Sequence, residues 1–199
     1  MKKKTRLLIG THNDGKFKEI SNLVNKNIKK ISPKKLNIAP PRETGKTFKS
    51  NSELKANYFF KKSKIISLSD DSGLEIFALN KKPGIYSARW AKRNGSFKKA
   101  MLQILKKMKN KKSRKARFIC SLSIRLNKKK IITKVGVING NISHKIKGTK
   151  GFGYDPIFIP KKSKLTFGQI NVSKKMKIDH RSIAFGKLKK KLKSFKFFI

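Results

Sequence analysis

Short apolar runs alternate with stretches of helical periodicity along this chain, and this alternation limits the folds available to it. The run at residues 6–10 predicts a strand, and the apolar side chains after it recur at helical spacing. Residues 48–62 predict a capped helix that precedes a second strand-like run at 65–68. Alternating apolar residues at 118–124 predict a further strand, and residues 130–137 predict its hairpin partner. This order predicts an α/β or α+β domain with a central mixed sheet.

The rest of the pattern is compatible with one domain. Residues 74–79 predict another strand, and Ser96 can cap a core helix that runs to about Lys109. A glycine and aromatic loop covers residues 148–160, and a last helix is predicted from Ile178. The sequence shows no internal repeat and no clear linker. A length of 199 residues therefore suits a single domain, or one domain with a modest lobe.

The chain is strongly basic, with 54 Lys and Arg residues against 9 Asp and Glu. Such a charge favours a nucleic-acid partner, but only 8 of the basic residues are Arg, and the 46 Lys are scattered along the chain. Asn and Ile are also abundant, as expected if an A/T-rich genome shifted exposed positions toward their codons. We interpret the charge mainly as genome drift. It predicts non-specific attraction to polyanions and no specific nucleic-acid partner.

The number of cysteines and the lengths of the apolar stretches indicate the cellular compartment. No apolar stretch approaches the roughly 20 residues that are needed to cross a bilayer. The apolar run at residues 7–9 is too short for the core of a signal peptide. Cys120 is the single cysteine, which excludes a disulfide framework within the chain and a Cys-based metal site. We therefore expect a cytoplasmic protein without a membrane partner.

Three acids cluster in a chain that is otherwise poor in them: Asp70, Asp71 and Glu75. The acids follow the apolar run at 65–68, and a Ser-Gly pair comes directly after Asp71. This arrangement predicts that the two adjacent carboxylates lie at the point where a strand ends and a loop begins. One interpretation is an ordinary turn, which Asp-Ser-Gly favours. The other is a Mg²⁺ site, at which a carboxylate also takes a proton from an attacking water. The scarcity of acids favours a function here, with Glu43 as a possible partner.

Residues 11–16, Thr-His-Asn-Asp-Gly-Lys, follow the first strand and open the first helix. Backbone N–H groups and the positive end of the helix dipole would face an anion held in this turn. Lys16 adds a point charge that suits a phosphate oxygen. The turn lacks the Walker A pattern. This stretch alone leaves a phosphate site and an ordinary helix start equally open.

A second candidate binding segment is Phe152-Gly153-Tyr154-Asp155, within the glycine-rich loop. Its rings could stack on a base, and Asp155 could accept from a ring N–H. The alternative is a tightly packed loop whose aromatic side chains belong to the core. His180 and Arg181 could donate to a base carbonyl or a phosphate, although such a pair is most often a surface pair.

In this order, these motifs resemble the inosine triphosphate pyrophosphatase family, whose members cleave the non-standard purine triphosphates ITP, dITP and XTP. The match spans nearly the whole chain, and the blocks at 69–75 and 83–89 are highly specific. The matching stretches are Thr-His-Asn-Asp-Gly-Lys (11–16), Glu-Thr-Gly-Lys-Thr-Phe with Asn51 (43–51), Ser-Asp-Asp-Ser-Gly-Leu-Glu (69–75), Pro-Gly-Ile-Tyr-Ser-Ala-Arg (83–89), Gly-Phe-Gly-Tyr-Asp-Pro-Ile-Phe (151–158) and His-Arg (180–181).

The resemblance implies an elongated α/β fold: a central mixed sheet with flanking helices, two lobes and an active-site cleft between them. Residues 1–199 would form one NTP pyrophosphatase domain with two lobes. It also implies a homodimer that hydrolyses a non-standard purine NTP to the monophosphate and pyrophosphate, and so keeps these nucleotides out of DNA and RNA. Mg²⁺ is the implied cofactor.

The resemblance also implies roles for single residues. Asp71 is the expected general base and a metal ligand. Seven residues would hold the triphosphate: Thr11, His12, Asn13, Asp14, Gly15, Lys16 and Ser72. Four would hold the base, namely Phe152, Gly153, Tyr154 and Asp155, while Lys175, His180 and Arg181 would contact the base carbonyl and neighbouring oxygens.

The second metal ligand is less certain by this resemblance. The family commonly has paired acids before Thr-Gly, the first of which is a metal ligand, but Arg42 occupies that place here. Either Glu43 takes over the role, or the alignment shifts by one residue. Glu43 is therefore the second expected metal ligand.

Overall fold

The computed structural model describes residues 5–192, and its seven strands form one mixed sheet. The strand order is β2-β1-β3-β5-β6-β7, with β4 paired to β3. β1 is parallel to β2 and β3, whereas β4 is antiparallel to β3 and β7 to β6. The strands are β1 (Arg6–Ile9), β2 (Lys29–Ile31), β3 (Ser67–Ile76), β4 (Lys82–Pro83), β5 (Lys115–Arg125), β6 (Ile131–Ile142) and β7 (Phe158–Pro160). The predicted α/β class with a central mixed sheet is confirmed.

Six α-helices accompany the sheet in this part of the chain: α1 (Asp14–Leu23), α2 (Phe48–Ser63), α3 (Ser87–Arg93), α4 (Phe97–Lys107), α5 (Val172–Ile178) and α6 (His180–Leu192). Their starts follow from capping residues. The Thr47 side chain accepts from the Ser50 backbone N–H, and the Ser50 hydroxyl in turn accepts from the Thr47 N–H. The Ser96 side chain caps α4 by accepting a hydrogen bond from the Lys99 backbone N–H. No helix among the described residues is long and apolar enough to cross a membrane.

Backbone contacts divide the chain into two compact units. Within the described residues, unit 1 comprises residues 5–71, 120–136 and 181–192, and unit 2 comprises 72–119 and 137–180. The unit 1 core is apolar and includes Leu7, Ile9, Ile20, Leu68, Cys120, Leu122, Ala184 and Leu188. The unit 2 core includes Leu74, Ile76, Met101, Ile104, Met108, Phe118, Phe158 and Phe167. The prediction of a core helix after Ser96 is thus confirmed, and Cys120 belongs to the unit 1 core.

The central strand differs from its prediction. Asp70 and Asp71 lie inside β3, which runs without interruption to Ile76, so the predicted strand end and Ser-Gly turn are wrong. Pairing with β1 near one end of β3 and with β4 near the other overrides the local turn preference of this sequence. The separate strand predicted at 74–79 is likewise wrong, because residues 77–79 form a 3₁₀ helix.

The C-terminal helix also differs from its prediction, since two helices replace the single one expected from Ile178. α5 ends at that residue, and Asp179 adopts an extended backbone before α6 begins. The break places His180 and Arg181 in the first turn of a new helix. Both side chains are buried, which overturns their interpretation as a surface pair.

A chain of hydroxyl groups joins α2 to β5 and β6 in unit 1. Ser52 Oγ lies 2.9 Å from Ser121 Oγ and 2.7 Å from Ser123 Oγ, and all three residues are fully buried. Ser123 Oγ lies 2.8 Å from Thr133 Oγ1, and the Thr133 hydroxyl donates to the Glu53 carboxylate. Because hydrogen bonds are directional, this chain fixes the position of α2 on the sheet more narrowly than apolar contacts would.

We expect Ser52→Ala to lower the free energy of unfolding by about 1–3 kcal/mol, because two buried hydroxyl groups lose a partner. Urea unfolding monitored by circular dichroism measures this change. Ser113→Ala is the matched control at an exposed position, with an expected effect below about 0.5 kcal/mol. Equal effects of the two substitutions would contradict a role of the hydroxyl chain in holding α2.

Candidate active site

Asp71 is held from the side of α2. Asn51 and Lys55 are four residues apart and therefore share one face of this helix. Asn51 Nδ2 donates to Asp71 Oδ2 at 3.1 Å, and Lys55 Nζ lies 3.7 Å from Asp71 Oδ1. The same ammonium lies 2.7 Å from Glu43 Oε1. Gly45 N–H donates to Asn51 Oδ1, so the loop that carries Glu43 is fastened to the same helix.

Asp70 belongs to a different set of contacts, because successive side chains of a strand point to opposite faces. Its Oδ2 lies 3.1 Å from Lys16 Nζ of α1 and 3.3 Å from an Arg181 nitrogen of α6. Arg181 also forms an ion pair with Glu19 of α1. Asp70, Glu19 and Arg181 are all buried. This network therefore joins α1, β3 and α6, and it leaves Asp71 as the carboxylate that faces Lys55.

The two neighbouring carboxyl groups differ in pKa. Burial raises the pKa of Asp71 above its usual range, although the nearby ammonium groups of Lys55 and Lys16 oppose the shift. Burial would also raise the pKa of Asp70, but Lys16 and Arg181 outweigh it and hold that pKa well below the usual range. The pKa of Lys55 is raised, since its carboxylate neighbours outweigh its burial. Asp71 is thus the better proton acceptor, and Asp70 stays ionised.

Residues 11–16 form the predicted turn between β1 and α1. Asn13 is the N-cap, and its side chain accepts from Lys16 N–H. Thr11 Oγ1 accepts from Asn13 N–H, and the His12 ring nitrogen Nε2 hydrogen-bonds to the Ile38 carbonyl. These bonds fix the turn and use the N–H groups of Asn13 and Lys16, so an anion would be bound by the N–H groups of Asp14 and Gly15 in the first turn of α1.

One residue of this turn presents a different group from the one expected. Asp14 is in the first turn of α1, and its carboxylate is exposed and forms an ion pair with Lys34. A carboxylate repels phosphate, so the backbone N–H of Asp14, rather than its side chain, suits the role. Lys16 meanwhile places its ammonium against Asp70 in this same region.

The loop at 152–155 is organised by Asp155. Its Oδ2 accepts from Phe152 N–H at 2.9 Å and from Lys175 Nζ at 2.6 Å. Both members of that ion pair are buried. Gly151 has a φ of +74°, and a Cβ there would lie 2.1 Å from Asp155 Oδ2, so only glycine fits.

The aromatic side chains of this loop have different environments. Phe152 is half-buried, and the Lys175 ammonium lies 5.2 Å from its ring centroid. Tyr154 is buried in the unit 2 core, where its hydroxyl donates to the Ser87 carbonyl at 2.9 Å and burial raises its pKa. Phe152 is therefore the aromatic residue of this loop with a partly accessible ring.

Asp71 and Glu43 were the expected metal ligands, and both carboxylates lie against the Lys55 ammonium. Among residues 5–192, no three His, Cys, Asp or Glu side chains come together as a metal-binding group. Mg²⁺ commonly takes only one or two carboxylates from a protein and completes its shell with waters and substrate phosphates. The donor chemistry of this pair therefore fits Mg²⁺.

Sequence reasoning missed Lys55 and the partnership of Glu19 with Arg181. Lys55 is one of 46 lysines, and nothing in composition separates it from the rest. Its spacing of four residues from Asn51, on a helix face that also carries buried Ser52, was the signal that could have found it. Glu19 lies within α1, and its carboxylate is buried against Arg181, a residue that is distant in sequence.

Comparisons with known proteins agree with this arrangement. The sequence model of the Ham1 family matches residues 7–191. A dITP/XTP pyrophosphatase of Zymomonas mobilis is 37% identical over 92% of this chain and 90% of its own length. One of Borrelia garinii is 41% identical, with 92% and 94% covered. The Ham1 protein of Staphylococcus aureus superposes with a TM-score of 0.86 at 34% identity, over 96% of this chain and all of the other. The resemblance found in the motifs is confirmed.

We expect Asp70→Asn to lower the free energy of unfolding at pH 7 by about 2 kcal/mol, because a carboxylate with a lowered pKa stabilises the folded state. That stability is present above the unfolded pKa of about 4 and is lost as the pH falls toward the folded value. The difference between native and variant proteins should therefore shrink between pH 4 and pH 2. Urea unfolding at pH 7, 4 and 2.5 measures it.

Asp14→Asn is the control for this experiment, since it removes the same charge from an exposed ion pair. Its effect should stay below about 1 kcal/mol at every pH. If the Asp70 and Asp14 variants show the same pH dependence, the buried network does not hold Asp70 ionised.

Proposed function

Because the chain belongs to the Ham1 family, we propose that it hydrolyses non-standard purine nucleoside triphosphates, such as dITP, XTP and ITP, to the monophosphate and pyrophosphate. The observation that carries the proposal is the buried Asp71 carboxylate, held by Asn51 and Lys55 and given a raised pKa. A general base works best when its pKa lies near the working pH. This hydrolysis removes damaged nucleotides before they enter DNA and RNA.

Asp71 acts as the general base. Its carboxylate takes a proton from the water that attacks the α-phosphorus, the bond from that phosphorus to the bridging oxygen breaks, and pyrophosphate leaves. Lys16 and Lys55 supply positive charge for the triphosphate, together with the backbone N–H groups of Asp14 and Gly15 at the start of α1. Mg²⁺ bound to Asp71 and Glu43 would offset charge on the phosphates. Ser72, the residue that follows Asp71 in β3, is assigned to phosphate binding as well.

Residues of unit 2 recognise the base. The half-buried ring of Phe152 supplies a stacking surface, and Gly153 leaves the backbone beside it open. Asp155 is the acceptor for a ring N–H, with Lys175 fixing its orientation. Donors placed for a 6-oxo oxygen are left unpaired by the 6-amino group of adenine, which favours hypoxanthine and xanthine.

The other expectations extend this proposal to the whole molecule. Residues 1–199 act as one pyrophosphatase domain with two lobes, which the family match across residues 7–191 supports. The chain forms a homodimer, for which the exposed Phe77 and Tyr86 side chains of unit 2 offer apolar surface, at 41% and 53% exposure. A lone buried Cys120 agrees with a reducing compartment such as the cytoplasm.

Pyrophosphate release tests the activity. With Mg²⁺ present, dITP and XTP should be hydrolysed with a kcat/KM at least about tenfold above that of ATP, because the 6-amino group of adenine leaves a polar contact unpaired. The same preference is expected over GTP, because the relatives of this chain are named dITP/XTP pyrophosphatases. Chelation with EDTA should abolish turnover. Comparable rates with ATP and GTP would contradict the assigned specificity, and no turnover of any substrate would contradict the enzyme assignment.

Asp71→Asn should reduce kcat by at least about 10³-fold, because the amide cannot accept the proton from water. Nucleotide binding, measured by calorimetry with dITP, should be retained. In the native enzyme, the acidic limb of kcat against pH should lie above pH 4, since the pKa of this carboxyl is raised. Glu53→Gln controls for the loss of one negative charge at a residue with no part in the proposed reaction, and substantial activity in the Asp71 variant would eliminate this residue as the base.

A further inference from the structure

Three buried phenylalanines of unit 2 form a cluster: Phe118 of β5, Phe158 of β7, and Phe167. We call them the phenylalanine cluster. The Phe118 ring centroid lies 4.6 Å from that of Phe158 and 6.2 Å from that of Phe167, and the latter two are 5.4 Å apart. These contacts alone describe an ordinary aromatic core.

His180 adds a contact of a different geometry to this core. Its imidazole lies on the Phe118 ring with the centroids 4.8 Å apart and the planes only 11° from parallel. Within the cluster, the Phe118–Phe158 and Phe158–Phe167 pairs are tilted by 58° and 37°. The Phe118–Phe167 rings are nearer to parallel, at 21°, but their centroids are 6.2 Å apart, so His180 forms the closest near-parallel contact of Phe118. Core packing does not require parallel rings, whereas a near-parallel stack fixes the plane of the imidazole.

The plane of this ring has a chemical consequence. The final torsion of a His side chain is soft, so packing decides where its two nitrogens point. Hydrogen bonds of an imidazole lie in its ring plane and weaken steeply when misaligned. Holding the ring against Phe118 therefore restricts the directions in which His180 can donate to a ligand.

The phenylalanine cluster also reaches the second residue assigned to the base carbonyl. The Lys175 ammonium lies 5.5 Å from the Phe167 ring centroid, and Asp155 holds it at 2.6 Å. A cation over an aromatic face is attracted to it. The cluster thus contacts both Lys175 and His180, although Phe118 and Phe167 belong to none of the motifs that match the family.

We propose that Phe118 is a positioning residue for base recognition, which sets the imidazole plane of His180 and thereby the binding of a 6-oxo purine. The inference rests on the proposed function, because that function assigns the base contact to His180. Phe118 touches no reacting atom in this scheme. It should therefore affect nucleotide affinity and base discrimination, and leave the proton transfer at Asp71 unchanged.

Phe118→Leu tests the inference, since it keeps an apolar side chain and removes the ring. The KM for dITP should rise about three- to tenfold, the loss expected for one aromatic pair, with kcat within about twofold of the native value. The preference for dITP over dATP should fall by a similar factor. Phe158→Leu is the matched control, because it removes a ring from the same cluster that has no ring contact with His180 among the described residues.

A spectroscopic measurement tests the stack without reference to turnover. The chain has only three His residues, so the imidazole C–H resonances are few, and their assignment follows from the peak lost in His180→Gln. Stacking on Phe118 should shift the His180 resonances upfield in the native protein, and Phe118→Leu should remove that shift. Titration with dIMP should move the same resonances, with a Kd several-fold weaker in the variant.

The inference is overturned if the His180 resonances are not shifted upfield, if dIMP leaves them unchanged, or if Phe118→Leu and Phe158→Leu raise KM equally. Should Phe118→Leu fail to fold, the native spectrum and the dIMP titration still decide between these outcomes. The proposed function fails separately. In that case dITP and XTP are not hydrolysed, while a dIMP-dependent shift of His180 would still support the positioning role.

Discussion

A single property of an extended strand organises the candidate site: neighbouring side chains point in opposite directions. Asp70 and Asp71 are adjacent in sequence, yet their direct contacts differ because β3 continues through both positions. Asp70 contacts Lys16 and Arg181, whereas Asp71 contacts Asn51 and Lys55. Had these residues formed the turn that their sequence favours, the two carboxylates would have shared one environment. The strand instead separates them into an ionised structural group and a group with a raised pKa.

The helices of unit 1 are arranged around that division. Asp70 is buried, and an isolated buried charge is strongly unfavourable, so Lys16 and Arg181 must both reach it. Their helices, α1 and α6, are thereby held against the strand. On the opposite side, α2 presents polar residues to the interior, and the Ser52 hydroxyl chain provides the partners that this face needs. Both buried carboxylates, Asp70 and Asp71, therefore lie against a cation from a neighbouring helix.

The sequence predicts what repeats along the chain and misses what pairs across it. Helix caps such as Thr47, the apolar stripe of α4 and the alternation in β5 are local patterns, and they gave the correct elements. Three features depend on partners distant in sequence: the continuity of β3, the burial of Arg181 and the placement of Lys55. No local preference encodes them. The motif resemblance supplied candidate roles for several site residues, but it did not reveal that Arg181 pairs with Glu19 and Asp70.

The strongly basic composition has different consequences at the surface and in the interior of the protein. Of the nine acidic residues, at least eight form an ion pair within the described part of the chain. Lys55 and Lys175, two lysines that are buried, each contact a carboxylate. Exposed positions can drift to lysine at little cost, since solvent screens their repulsion. Buried cations need their acids, and so several of the few acids that this basic chain keeps, such as Asp70, Asp71 and Asp155, lie where its interior carries charge.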